Sequence, residues 1–252
     1  MTEAERAEQG HGYAVNAPYY DLISPEAARE ALVAALDLLP EKAGAVAEIG
    51  PGTGHFTEAL LARLGPDAEI FAIEPARIMR AALVTRLAGL PAAAERVTVL
   101  PEDALTAQVD APLDGVVLFN LVMHFAPADR ACLWKKWAEA LRPGGVLLME
   151  SQYPQTATAV PPSLVPGRRL GRYRYETLSR ADVAGEDLLR WVTTYRTLRG
   201  DEVVREESAE FDCHVVSDDT LAAELSAAGL ERHPAAPEGV QAWRRPDPGR
   251  TT

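Results

Sequence analysis

Ala47-Glu48-Ile49-Gly50-Pro51-Gly52-Thr53-Gly54-His55-Phe56 separates two unlike patterns. Before it, Ala45 to Ile49 is a short apolar run of strand type. After it, residues 53–64 have helical spacing, with Phe56, Leu60, Leu61 and Leu64 on one face and Gly65-Pro66 as the stop. Gly50, Gly52 and Gly54 therefore fall in a strand-to-helix turn. Lacking Cβ atoms, they let the backbone approach a ligand, and the helix after them offers unpaired N–H groups. A pyrophosphate-binding turn requires Gly-x-Gly-x-x-Gly, but His55 stands three residues after Gly52. Glu48, at the strand end, would repel a pyrophosphate and suits a ligand bearing an ammonium group.

Downstream, apolar runs again end in polar residues. Glu69 to Ile73 is a second apolar run ending in Glu74, whose carboxylate is placed to accept both hydroxyls of a ribose and excludes a 2′-phosphate. Arg96 to Leu100 leads to Glu102-Asp103-Ala104, where Asp103 is placed to accept from an adenine amino group. Leu113 to Phe119 ends in Asn120. After a helix and the turn Leu141-Arg142-Pro143-Gly144-Gly145, the run Val146 to Met149 ends in Glu150. Strands alternating with helices predict an α/β fold, a doubly wound Rossmann-like sheet with ligands at the carboxyl ends of its strands.

A ligand that combines an ammonium, a carboxylate and a ribose is S-adenosylmethionine. The motifs resemble the class I S-adenosylmethionine-dependent methyltransferases over about residues 13–150 and again at the C-terminus. The resemblance implies a seven-stranded, mostly parallel sheet closed by a C-terminal helix and an antiparallel strand pair. It assigns Glu48, Gly50, Gly52 and Gly54 to the first motif and Glu74 to the ribose. Pro75 to Met79 would lie against adenine, Asp103 and Ala104 at its edge, and Asn120 to His124 under the methionine portion.

The bulk properties narrow the substrate. A chain of 252 residues suits one methyltransferase domain, and a net charge of −12 argues against RNA or DNA as substrate. The opening segment lacks a signal-peptide core, and no run reaches membrane-spanning length. Cys132 and Cys213 are too few for a disulfide framework and read as reduced thiols of a cytoplasmic protein. No group of side chains has metal-ligand spacing. The expected partner is a small molecule, with neither nucleic acid nor membrane, and a homodimer is conceivable.

Residues 1–12 are polar and aperiodic and read as a loose arm, which contains His11, within an N-terminal cap over 1–40. Tyr13 and Tyr20 precede a helix predicted from a Ser24 cap to about Leu39. The resemblance implies that such a tyrosine-bearing segment closes over the cofactor. Either Tyr13 or Tyr20 contacts the methionine carboxylate or the substrate, or both tyrosines simply pack the entering chain. The cofactor-binding core is expected over 41–152.

Residues 153–214 depart from the minimal fold. A proline-rich loop, Pro154 to Gly171, precedes three alternating runs: Arg172 to Glu176, Leu188 to Leu198 with Trp191, and Glu202 to Cys213, reached through Arg199-Gly200-Asp201. They predict an antiparallel insertion after the fifth strand that walls the substrate, with Trp191, or contacts a second copy. Arg172 and Arg174 read as the charged face of an edge strand rather than as an anion gate. Residues 215–246 complete the core, with a helix capped by Ser217, and a loose tail extends from Pro246.

His124, just past the fourth strand, is the candidate general base. With an ordinary pKa of about 6.5 it could take a proton from a hydroxyl nucleophile, or it merely lines the pocket. His55 reads as structural, and His214 lies beyond the meander. The primary reading is in-line methyl transfer to a small molecule, of the kind found in natural-product biosynthesis. Two others stand beside it: a cofactor used structurally to promote a cyclisation or rearrangement, and a non-catalytic nucleotide-binding module.

Overall fold

The structure, a computed structural model, describes residues 12–247 and 249. The arm expected over 1–12, except Gly12, and most of the tail after Pro246 lie outside the described residues. Residues 12–16 are helical, and a short helix α1 (Tyr20–Ile23) precedes α2 (Glu26–Ala35). The chain continues through β1 (Ala45–Ile49), α3 (His55–Arg63), β2 (Glu69–Ile73), α4 (Arg77–Ala88), α5 (Ala93–Arg96), β3 (Val97–Leu100) and β4 (Leu113–Leu118). Next come α6 (Pro127–Ala140), β5 (Leu141–Glu150), β6 (Val160–Leu170), β7 (Tyr173–Val183), β8 (Leu188–Arg199), β9 (Glu202–His214), α7 (Asp218–Ala227), β10 (Glu231–Arg232) and β11 (Val240–Arg244).

Seven strands form the main sheet in the order β10-β11-β5-β4-β1-β2-β3. The pairs among β1 to β5 are parallel, and β11 runs antiparallel to β5 and β10. This is the doubly wound, mostly parallel α/β sheet anticipated from the strand-helix alternation. Alternate residues of each strand serve opposite cores. Ala47, Ile49, Val116 and Leu147 meet Trp134 and Trp137 of α6 and Leu221 of α7. Val46, Ile70, Val117 and Leu148 meet Leu36, Leu60 and Leu83 on the other face. Where α6 meets α7, the buried Arg130 guanidinium forks onto Glu224, which also accepts from the Trp134 indole at 2.8 Å.

Four elements differ from expectation. Ser24 does not cap α2: Pro25 occupies that position, and the Ser24 hydroxyl donates to the Tyr20 carbonyl instead. The turn expected over 141–145 lies inside β5, where the register with β4 breaks between Leu113–Leu141 and Gly115–Val146. The proline-rich loop holds a strand, β6, so the insertion is a four-stranded antiparallel sheet in the order β6-β7-β8-β9. Pro161, Pro162 and Pro166 are tolerated because β6 is an edge, hydrogen-bonded on one side only. Arg174 therefore lies on an inner strand, with Glu176 3.7 Å away, and not at an edge. The Ser217 cap is present as anticipated, its hydroxyl accepting from the Thr220 N–H at 3.1 Å.

Candidate active site

The glycine turn crosses from the end of β1 to the start of α3, with Gly50, Gly52 and Gly54 at φ of 68°, 58° and 88°. These are left-handed conformations that side chains disfavour. The three glycines have different surroundings. A Cβ on Gly54 would meet Leu83 Cδ1 at 2.6 Å, so this position lets α3 pack on α4. A Cβ on Gly52 would meet only the Tyr20 ring, at 3.8 Å. Gly50 and Gly52 line a chamber of about 170 Å³, together with Glu74, Met79, Asp103 and Asn120. Pro75 and Ala104 line it too, so the polar and apolar residues expected at strand ends converge there. Gly54 and Glu48 do not line it.

Glu48 is turned away for a reason of parity. It shares the face of Val46, toward α3, so its side chain lies beneath the turn and accepts from the Thr57 hydroxyl at 2.6 Å. Burial pushes its carboxyl pKa up to about 8. The expected contact with a ligand ammonium thus has no direct geometry here. Glu74 is different: its two oxygens accept from the N–H groups of Gly52, at 2.9 Å, and Ala76, at 2.8 Å. These bonds pull its pKa down, but burial outweighs them and raises it to about 7. Each carboxylate oxygen retains further acceptor capacity toward the chamber. Asp103 accepts from the N–H groups of Leu105 and Thr106, which fixes its loop.

Asn120 is the only non-glycine with positive φ among the described residues, at 56°. Its N–H donates to Glu150 Oε2 at 2.8 Å, and Glu150 Oε1 accepts from the Gln152 amide at 2.9 Å. Glu150 and Gln152 thus support the backbone where β4 ends. The sequence marked Glu150 only as a strand terminus and offered no signal for Gln152.

A second chamber, of about 290 Å³, adjoins the first, and Tyr13, Tyr20, Asn120 and His124 line both. Its far wall is Trp191 and Tyr195 of β8 with Phe211 of β9. Cys213 and His214, at the end of β9, line it as well, although the sequence reading placed His214 beyond the meander. Burial pushes the Cys213 thiol up to about 12, leaving it an inert wall. Across the junction, Tyr13 Oη lies 3.2 Å from His124 Nε2. Burial lowers the His124 pKa to about 4, which corrects the ordinary value assumed from sequence. No group of His, Cys, Asp and Glu among the described residues could hold a metal.

The first chamber fits S-adenosylmethionine on its own features. Glycines without side chains form one wall, a buried carboxylate with acceptor capacity lies at the second strand end, and apolar Pro75 and Met79 offer a surface for adenine.

Residues 47–147 match the family model of the methyltransferase domain. No curated protein matches the chain at a significant level. Among solved structures, the CcbJ methyltransferase from Streptomyces caelestis has 17% identity and a TM-score of 0.71, with 93% of this chain and 98% of that one covered. CalS10, an amino pentose methyltransferase from Micromonospora echinaspora involved in calicheamicin biosynthesis, has 22% identity and a TM-score of 0.63, with 97% of both chains covered. The sugar N-methyltransferase KedS8 from Streptoalloteichus sp ATCC 53650 has 22% identity and a TM-score of 0.64, covering 96% of this chain and 91% of that one. At these identities the structural likeness speaks for the fold. With the domain match over residues 47–147 and the strand-end chamber, it shows the fold of the class I S-adenosylmethionine-dependent methyltransferases.

Proposed function

We propose that the chain methylates a nitrogen of a small molecule of natural-product type, bound as the uncharged amine in the chamber between Tyr13, His124 and Trp191. The observation that carries this reading is the junction, where the same four side chains face both chambers. An acceptor in the second chamber then meets the methyl group without water between them. Bound S-adenosylmethionine supplies that methyl as an electrophile on sulfur. The chain's own residues supply position, which accounts for most of the rate in such a displacement.

Two features favour an amine. No Asp, Glu, Lys or Arg lines the second chamber among the described residues, so an ammonium entering it loses solvation and sheds its proton. The resulting amine carries the lone pair that attacks. His124, held uncharged, accepts the amine N–H as a hydrogen bond and orients it. The amino pentose and sugar N-methyltransferases with this fold support the same choice. In this reading residues 1–40 are the cap, 41–152 with 215–246 bind the cofactor, and 153–214 select the acceptor.

The test is a labelled transfer assay with amino sugars and other small amines beside phenols and alcohols of similar size. Mass spectrometry locates the added methyl. S-adenosylhomocysteine formation with an N-methyl product is expected. Transfer confined to hydroxyl acceptors overturns the nitrogen assignment, and binding without any transfer favours a structural use of the cofactor.

A further inference from the structure

The segment bearing Tyr13 and Tyr20 is tied to the cofactor turn at one place. Asp21 Oδ1 accepts from the Thr53 hydroxyl at 2.6 Å, and Asp21 Oδ2 accepts from Arg86 Nη2 at 2.5 Å. Arg86 Nε donates to the Thr53 carbonyl at 2.8 Å, closing a triangle, and Arg86 Nη1 reaches Glu58 at 3.1 Å. The three corners come from α1, the glycine turn and α4. Each corner stands near a chamber-lining residue: Tyr20 beside Asp21, Gly52 beside Thr53, and Met79 two turns before Arg86 on α4.

We propose that Asp21 and Arg86 form a latch that closes the tyrosine cap over the cofactor chamber and sets how fast the cofactor and its product leave. Asp21 and Arg86 touch neither chamber; they are positioning residues that act through Tyr20 and Thr53. The Tyr20 ring lies over Gly52, so a ligand leaving past Gly52 requires α1 to lift. Lifting α1 breaks both Asp21 bonds together. The guanidinium is fixed by the Thr53 carbonyl whether the cap is open or shut, so the ion pair reforms without first ordering Arg86. The Asp21 side chain is 40% exposed and that of Arg86 is 27%, so water and salt reach the pair and the latch releases at a finite cost.

The inference rests on the cofactor occupying the chamber over Gly52. It is tested with S-adenosylhomocysteine alone, by stopped-flow displacement with tryptophan fluorescence, and by hydrogen exchange of residues 12–24 in the ligand-free protein. Asp21→Asn keeps the size of the side chain and removes its charge. It should speed S-adenosylhomocysteine dissociation by about two- to fivefold and raise exchange over residues 12–24. Raising salt should speed dissociation from the parent and leave Asp21→Asn nearly unchanged, a difference that loss of general stability would not produce. Asp21→Glu should recover part of the effect. Arg86→Lys, which keeps the charge and loses the fork, should fall between Asp21→Asn and the parent, and serves if Asp21→Asn does not fold. An unchanged dissociation rate, or equal salt sensitivity in parent and variant, overturns the latch. A parent that binds no S-adenosylhomocysteine overturns the chamber assignment and the latch with it.

Discussion

Tyr13 Oη lies 3.2 Å from Nε2 of His124, joining the N-terminal cap to the end of β4 across 111 positions of sequence. Burial moves the two groups in opposite directions, the phenol pKa up and the imidazole pKa down to about 4, so both are uncharged near neutrality.

The pair sets a first prediction. His124 does not titrate between pH 5 and 8, so any ascending limb of kcat there tracks the acceptor amine and persists in His124→Gln. That variant should lose about tenfold in kcat/KM from one missing orienting hydrogen bond, well short of the loss of a general base. The folded pKa of His124 is depressed, so its contribution to stability is present above about 6.5 and is lost as pH falls through about 4. A His124→Gln enzyme without the limb would restore the general-base reading.

Glu74 carries a second prediction. Its ionised form accepts hydroxyl groups, and its pKa in the free protein is about 7. Affinity for S-adenosylhomocysteine, measured by calorimetry, should fall as pH drops below about 7, by up to about tenfold per unit. Glu74→Gln should weaken binding about tenfold at pH 8 and flatten that dependence. Unchanged affinity in a folded variant would defeat the ribose assignment.

Glu48 gives a prediction about stability. Its folded pKa, raised to about 8 from an ordinary 4.5, means that its contribution is present below about 4.5 and is lost as pH rises through about 8. Glu48→Gln keeps an oxygen for the Thr57 hydroxyl and has no proton to lose. The difference in Tm between variant and parent should therefore grow in the variant's favour as pH is raised from 5 to 9. A constant difference contradicts burial of an ionisable carboxyl at this position.

Gly52 and Gly54 should separate binding from stability. Gly54→Ala should cost about 2–4 kcal/mol, because its Cβ would strike buried Leu83 and its φ is 88°. Gly52→Ala meets no such obstacle and should cost about 1 kcal/mol of backbone strain, while weakening cofactor binding markedly. Denaturant titration and calorimetry on both variants give the comparison, and equal stability losses would contradict it.

Trp191 tests the division of labour. It lines the second chamber and not the first, so Trp191→Ala should raise KM for the acceptor while leaving S-adenosylhomocysteine affinity within about twofold. A change confined to the cofactor would be the contrary result.

Most of the fold was legible because it depends on local periodicity. The turn at Gly50 to Gly54, the apolar runs of β1 to β4 and the Ser217 cap each arise from residues within one or two turns of each other. The misplaced features involve longer range. β6 reads as loop because its prolines forbid an inner strand, and only its place at the sheet edge makes them acceptable. Ser24 carries the composition of a cap, but its hydroxyl is taken by the Tyr20 carbonyl.

The site divides in the same way. Sequence alone determined that Glu74, Asp103 and Asn120 gather at the carboxyl ends of parallel strands, since in a doubly wound sheet chain order and strand direction decide that. Tertiary structure alone decided which side chains face the chamber and in what state of charge. Strand parity turned Glu48 under the turn toward Thr57, and burial uncharged His124 beside Tyr13. Side-chain direction and desolvation arise from atoms distant in the chain, as far apart as Tyr13 and His124, and no local pattern of residues encodes them.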